Sequence, residues 1–274
     1  MRGSRMLLVL PFILLATSEG SAADYLVKSL QTESFQPPSW LPTVSLVGTL
    51  APTWTDNAFF SHDDRRSDWF LNSDTSLRLD GRLAPDWAYR FYVRSDLDAF
   101  SREKDANASM ALWGARLSHD IAGWTASAIF ENRYDFLGIY DTHNFTAYDV
   151  KGALSRNFTL NDVLIFSPLM QARYRFADHG FAEYFRLDLA LGIEAKLNER
   201  WSIVSSPFFE AYWFTRDVNV GRRDQIYSAS LGVKYNFTPS VALTTSVAYE
   251  ERFSNVAVRR YQNIDIGPRL NFSF

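Results

Sequence analysis

Cysteine is absent from the 274 residues, which excludes a disulfide framework and any thiolate metal site and is compatible with an oxidising compartment. Charge of one sign is also lacking. The 28 Lys and Arg stand against 31 Asp and Glu, a net charge of −3, so no nucleic acid or other polyanion is implied as a partner. Long apolar runs are missing beyond residue 23: no stretch of about 18 apolar residues follows, which excludes a transmembrane helix in the rest of the chain. Histidine is scarce, with four in all, and they are scattered. What the chain does have is aromatic residues, 16% of the total.

The N-terminus carries an export pattern. Arg2 and Arg5 precede an apolar stretch from Met6 to Ala16, too short to span a bilayer, and Ser21-Ala22-Ala23 offers small residues where a signal peptidase reads. A cleaved signal peptide is predicted over 1–23, with Asp24 near the mature N-terminus. Residues 24–41 contain Pro37 and Pro38 and little periodicity, and read as a periplasmic lead-in.

From there the sequence alternates with period two. Over 185–197, Phe185, Leu187, Leu189, Leu191, Ile193, Ala195 and Leu197 share one parity, while Arg186, Asp188, Glu194 and Lys196 take the other. Successive strand side chains point to opposite faces, so this is a strand with one apolar and one charged face. The pattern recurs across Trp87–Asp96, Leu164–Phe176, Tyr227–Phe237, Val241–Arg252 and Ile264–Phe274.

Five short turns join these runs, at Ala84–Trp87, Ile121–Trp124, Thr159–Asp162, Asn198–Trp201 and Thr238–Ser240. Longer polar links lie between them, at about 55–67, 99–108, 134–144, 177–182, 217–224 and 253–260. Five hairpins supply ten strands, with one before them at about 42–54 and one after at about 261–274. The expected fold is all-β, a closed antiparallel transmembrane barrel of about twelve strands with short periplasmic turns, filling residues 42–274. An even count puts both ends on the periplasmic side.

A soluble sandwich also alternates. Here, however, every strand has an apolar face, and Trp69, Trp87, Trp124, Trp201, Trp213, Tyr235 and Tyr249 cluster near strand ends on it, where membrane-interface girdles form. Pro168, Pro207 and Pro268 fall on the outward face; each removes a ladder bond, and bulges that bend the wall are expected there. The ending Arg269-Leu270-Asn271-Phe272-Ser273-Phe274 resembles the terminal strand of bacterial outer-membrane barrels, and with the turn asymmetry the resemblance covers about 40–274. It implies residence in the outer membrane of a Gram-negative bacterium and recognition by the barrel-assembly machinery, with Phe272 and Phe274 as the signal.

Alternation turns both signs of charge inward. Arg94, Glu131, Arg133, Arg173, Arg175, Arg186, Glu210 and Arg252 are the candidate lumen-lining residues, with acidic neighbours Asp188 and Glu250. Either they form wall salt bridges or they make a solute path whose arginines meet carboxylates or phosphates. No link is long enough to plug a pore, so wall side chains are expected to form any constriction. His62, His119, His143 and His179 fit no nucleophile–base set, and no catalytic, cofactor or metal site is expected. The expected function is a passive or weakly anion-selective channel for small hydrophilic solutes, a porin-like monomer in contact with outer-membrane lipid. Two alternatives stand beside it: a non-conducting structural or assembly barrel with a salt-bridged lumen, and a membrane-embedded hydrolase.

Overall fold

The computed structural model describes residues 41–274. The signal peptide over 1–23, the start expected at Asp24 and the lead-in as far as residue 40 lie outside the described residues. Thirteen strand segments follow one another: β1 (Thr43–Thr55), β2 (Asp68–Ala84), β3 (Trp87–Phe100), β4 (Ala108–Ile121), β5 (Trp124–Leu137), β6 (Thr142–Ser155), β7 (Phe158–Leu160), β8 (Leu164–Ala177), β9 (Tyr184–Lys196), β10 (Trp201–Phe214), β11 (Arg223–Thr238), β12 (Val241–Ser254) and β13 (Tyr261–Ser273). Each pairs antiparallel with its neighbours, β1 pairs with β13, and β6 pairs with β8, so the sheet closes on itself. Because β6 and β7 meet β8 in one continuous register, they are two pieces of a single wall strand, and the barrel has twelve.

Proline explains the break between β6 and β7. Arg156 N–H donates to the Pro168 carbonyl at 3.3 Å, but Pro168 has no N–H to return to Arg156. Opposite Pro207 the β9–β10 ladder likewise skips a step. In β1 and β13, Pro52 and Pro268 stand at directly opposed positions, where neither can donate, and the ladder is silent between Leu50 and Trp54. The prolines therefore do not mark bulges, as the sequence suggested. Register is the same on both sides of each gap, and only hydrogen bonds are lost. The register shifts lie elsewhere, at Arg82/Ala84, Asp135/Phe136 and Asn236/Thr238. A missing donor thins the ladder, whereas a bulge needs an extra residue.

The barrel is inverted relative to a soluble protein. Its largest fully buried side chains include Arg175, Arg186, Glu210, Asp149, Asp188 and Asp224, while Leu77, Phe91, Val150, Met170, Leu231 and Ile266 are exposed. A water-soluble sandwich with this pattern would put apolar surface in water at about 25 cal/mol per Å². In hydrocarbon the same surface is in its preferred medium. Aromatic pairs stand near both rims: Trp87 stacks on His119 at 4.3 Å and Trp201 meets Tyr235 at 4.7 Å at the periplasmic end, and Phe185 meets Trp213 at 5.5 Å at the other.

Local chemistry sets the turns. Ala122 and Gly123 both have positive φ, 52° and 80°, as a two-residue hairpin that follows the strand twist requires. Aromatic rings cover two cross-strand glycines: a Cβ on Gly48 would lie 2.5 Å from Phe272, and one on Gly114 would lie 2.6 Å from Tyr92. Phe272 is thus fixed in the seam between β1 and β13, beside Phe274 at 6.0 Å.

The external links carry single 3-10 turns at Lys104–Ala106, Gly180–Ala182, Asp217–Asn219 and Ala257–Arg259. Small apolar clusters hold them down, Ala106 and Ala58 on Phe100, and Ala182 on Phe145 and Ala147. Phe60 of the first link reaches within 5.2 Å of the inward Tyr261 ring. The first link therefore leans against the wall at this point, its apolar ring finding a partner on β13. In the link after β8, burial raises the Asp178 carboxyl, but hydrogen bonds from His179 and Thr146 N–H outweigh it and hold the group below the ordinary range.

Two measurements check this architecture. Single cysteines at 62, 103, 179 and 255 are expected to react with an impermeant reagent on intact cells, and those at 86, 199 and 239 to be protected; the reverse pattern would invert the topology. Leu231→Arg, on the exposed face at mid-strand, is expected to destabilise by about 2–4 kcal/mol in a urea refolding series. Ser230→Arg, facing the lumen, is expected to cost much less, and equal losses would mean that the faces are misassigned.

Candidate functional site

The inward face divides by height. The periplasmic half mixes small polar residues, among them Ser118, Ser127, Ser167, Ser202, Ser206 and Thr244, with a few ion pairs, Arg90 with Asp80 at 2.6 Å and Lys234 with Glu194 at 3.2 Å. The extracellular half holds a band of charge, because inward positions near the outer ends of β5, β6 and β8 to β12 are ionisable in nearly every strand.

The band is built of cross-strand pairs. On β6, Asp149 receives a two-point hydrogen bond from Arg175 of β8, with both contacts at 2.8 Å, and Arg173 approaches the same carboxylate at 3.7 Å. Such a fork fixes direction as well as charge. Lys151 pairs with Glu131 at 2.5 Å, and Tyr92 donates to Glu131 at 2.6 Å. Arg133 pairs with Asp135 at 2.5 Å along β5.

Across the lumen wall, Arg186 of β9 pairs with Asp188 at 2.7 Å and with Glu210 of β10 at 3.0 Å. Tyr212 is the hinge of this group. It accepts from Arg186 at 2.8 Å and donates to Glu210 at 2.7 Å. Arg252 of β12 and Arg222 both pair with Asp224 at 2.5 Å. Tyr261 donates to Glu250 at 2.6 Å. On the opposite wall, Arg94 pairs with Asp74 and with Asp96, the latter at 2.9 Å.

Guanidinium groups also lie over rings, Arg175 over Tyr184 at 4.9 Å and Arg186 over Tyr212 at 5.3 Å. Each contact is worth about 0.5–2 kcal/mol. The ion pairs matter more for what their loss would do: stranding one member of a buried pair costs about 3–5 kcal/mol.

Of the eight residues expected from the sequence, Glu131, Arg133, Arg173, Arg175, Arg186, Glu210 and Arg252 stand in the band, and Arg94 stands midway along β3 on the opposite wall. The structure joins Arg173 to Arg175 through Asp149, and Arg186 to Glu210 directly. Arg94 pairs with Asp74 and Asp96, and Arg133 with Asp135. Sequence reasoning missed Asp135, Arg222 and Asp224, which lay in stretches read as links, and the inward tyrosines at 184, 212 and 261. Parity extended up to three residues beyond the expected strand ends would have found the three charged groups, and the tyrosines lie within the expected strands at inward parity. Among the described residues, no group of three or more His, Asp and Glu could hold a metal ion.

No protein-family model matches the chain, and no curated protein is similar to it. Solved structures do resemble it. An outer-membrane channel of Pseudomonas putida F1 is 12% identical, with a TM-score of 0.54 over 85% of this chain and 95% of that one. An anion-selective porin from Comamonas acidovorans is 10% identical at a TM-score of 0.45, covering 85% of this chain and all of that one. The translocator domain of an autotransporter from Neisseria meningitidis is 12% identical at 0.48, over 92% and 97%. Identities this low speak to fold alone. The chain has the fold of the bacterial outer-membrane β-barrels, a closed twelve-stranded wall with a charged interior.

Proposed function

We propose that this protein is a passive outer-membrane channel for small hydrophilic solutes with a weak preference for anions. The observation that carries the reading is the unequal sharing of carboxylates in the charged band. Two arginines, Arg173 and Arg175, converge on Asp149, and two more, Arg222 and Arg252, converge on Asp224. Each cluster keeps a surplus positive charge at the wall. Arg186, between Asp188 and Glu210, and Arg94, between Asp74 and Asp96, have the opposite arrangement and together offset the two surpluses, so the preference rests on where the positive clusters stand along the wall. The net field is modest for that reason. Guanidinium stays ionised at any working pH and suits carboxylates and phosphates.

The reading has the chain exported by a cleaved signal peptide, inserted by the barrel-assembly machinery and active as a monomer without cofactor or chemistry of its own. A second reading is favoured by the burial of Arg175, Asp149, Asp188 and Glu210: a barrel whose lumen is locked by its ion pairs and does not conduct.

Planar bilayers separate the two. Discrete conductance steps, with a reversal potential of anion sign across a potassium chloride gradient, are expected. The preference should fade at 1 M salt, where screening shortens to about 3 Å. Replacing Arg173 and Arg175 together by Ser is expected to erase or invert it. Electrical silence would favour the locked barrel, clear cation selectivity of the unaltered protein would refute the anion preference, and turnover of lipid or peptide would restore the hydrolase alternative.

Assembly has its own test. Deleting Phe274 is expected to lower the amount of heat-modifiable barrel in the membrane several-fold, with periplasmic degradation of the rest. Wild-type levels would remove the terminal aromatic from the recognition signal.

A further inference from the structure

Arginine is rare on the lipid-facing wall. In its periplasmic half, among the described strand positions and the two-residue break in the sixth wall strand, Arg156 is the arginine that alternation turns outward. It occupies the break between β6 and β7 that Pro168 creates. Its guanidinium carbon lies 4.6 Å from the centre of the Phe158 ring and 5.8 Å from that of Trp124. The two rings meet edge to face at 5.9 Å. One N–H reaches the Ala122 carbonyl at 3.4 Å, and no carboxylate among the described residues pairs with the group. A guanidinium carries five N–H donors, so most of this planar fork is held in place by aromatic contact with donors to spare.

The wall beside it is hollow. The next outward positions on β6 are Leu154 and Gly152, and an open groove of about 580 Å³ runs past them, lined also by Ala128, Ala172, Met170 and Trp87. Nothing lies within 4 Å of where a Cβ on Gly152 would stand. From Gly152 to Arg156 is about 13 Å along the strand. With the strand tilted by about 40°, that is a descent of about 10 Å, a third of the roughly 30 Å hydrocarbon thickness of a bilayer. The groove therefore descends from the membrane surface toward the midplane, with a cation at its polar end.

We infer that this site holds one phospholipid of the periplasmic leaflet, its phosphate on Arg156 and one acyl chain in the groove over Gly152. The charge decides the occupant. Phosphate takes the planar fork in two-point geometry, and Trp124 and Phe158 sit where interfacial rings belong. A second copy of the chain would bring the same patch to a self-complementary interface and leave two arginines there without a carboxylate. The inference is independent of whether the lumen conducts.

The test uses the refolded full barrel in detergent micelles supplied with dipalmitoyl phosphatidylglycerol, with bound lipid counted by native mass spectrometry. The unaltered protein is expected to retain one lipid after detergent exchange. Arg156→Gln and Gly152→Phe should each lower retention about tenfold, the scale set by loss of a charge-assisted hydrogen bond. Arg200→Gln, at an exposed periplasmic turn away from the groove, should not. Unchanged retention in Arg156→Gln, an equal loss in Arg200→Gln, or a dimer that Gly152→Phe splits without changing bound lipid would each overturn the assignment. Heat-shifted migration confirms folding of every variant, and Arg156→Gln decides alone if Gly152→Phe does not fold.

Discussion

Hydrocarbon offers the backbone no hydrogen bond, and the rest of this structure follows from that constraint. An open edge in lipid would leave a row of N–H and C=O groups unsatisfied, at several kcal/mol each. The chain meets the constraint by pairing β1 with β13 and β6 with β8, so that no wall strand is an edge. Its prolines are placed within the same limit. Pro52 and Pro268 face each other, which gathers two missing donors at one ladder position instead of spreading them over two. Pro168 stands opposite Arg156 near the periplasmic rim, where water is at hand for the carbonyl left over. The walls stay in register because neighbouring pairs continue on both sides of each gap.

Closure forces the second feature, the inversion of polarity. With lipid outside, the charged side chains of a wall strand must turn inward or stand near a rim. Charges concentrated on the inner face of a narrow barrel cannot remain singly solvated, since each buried charge is costly until it is paired and hydrogen-bonded. Arg186 shows how fully the demand is met: its partners are Asp188, Glu210 and Tyr212. The same pairing that stiffens the wall also sets its field. Where two guanidinium groups share one carboxylate, as at Asp149 and Asp224, a positive surplus remains; where two carboxylates share one guanidinium, the surplus is negative. Selectivity in such a lumen depends on how partners are shared more than on how many charges of each sign are present.

The outer face is not uniform. Aromatic residues stand near both rims, and the Phe272 ring lies over Gly48 across the β1–β13 pair, fixing the two strands at close approach. Between β5, β6 and β8 the small side chains of Ala128, Gly152 and Ala172 leave the wall concave, with Arg156 below. A wall that needed only to be greasy would have no use for a guanidinium packed beside two aromatic rings.

The sequence by itself determined the strands, their faces and their number. Side-chain direction in a strand has period two regardless of partners, so parity along 185–197 or 227–237 already separated Leu189 and Leu231 from Asp188 and Ser230, and the short turns at Ala84–Trp87 and Asn198–Trp201 counted the hairpins. Parity also placed Arg173, Arg175, Arg186 and Glu210 in the lumen. Only the tertiary structure decided who pairs with whom. Arg175 and Asp149, or Arg252 and Asp224, are neighbours because of the register between strands, and register depends on hydrogen-bond pairing across segments far apart in sequence. Proline read as a bulge from sequence proved a gap for the same reason: whether an extra residue is accommodated depends on the partner strand, which no single strand records. The ends of strands were blurred too, at Asp135 and Asp224, because polar inward residues near a rim look like link residues until the neighbouring strand is seen to continue beside them.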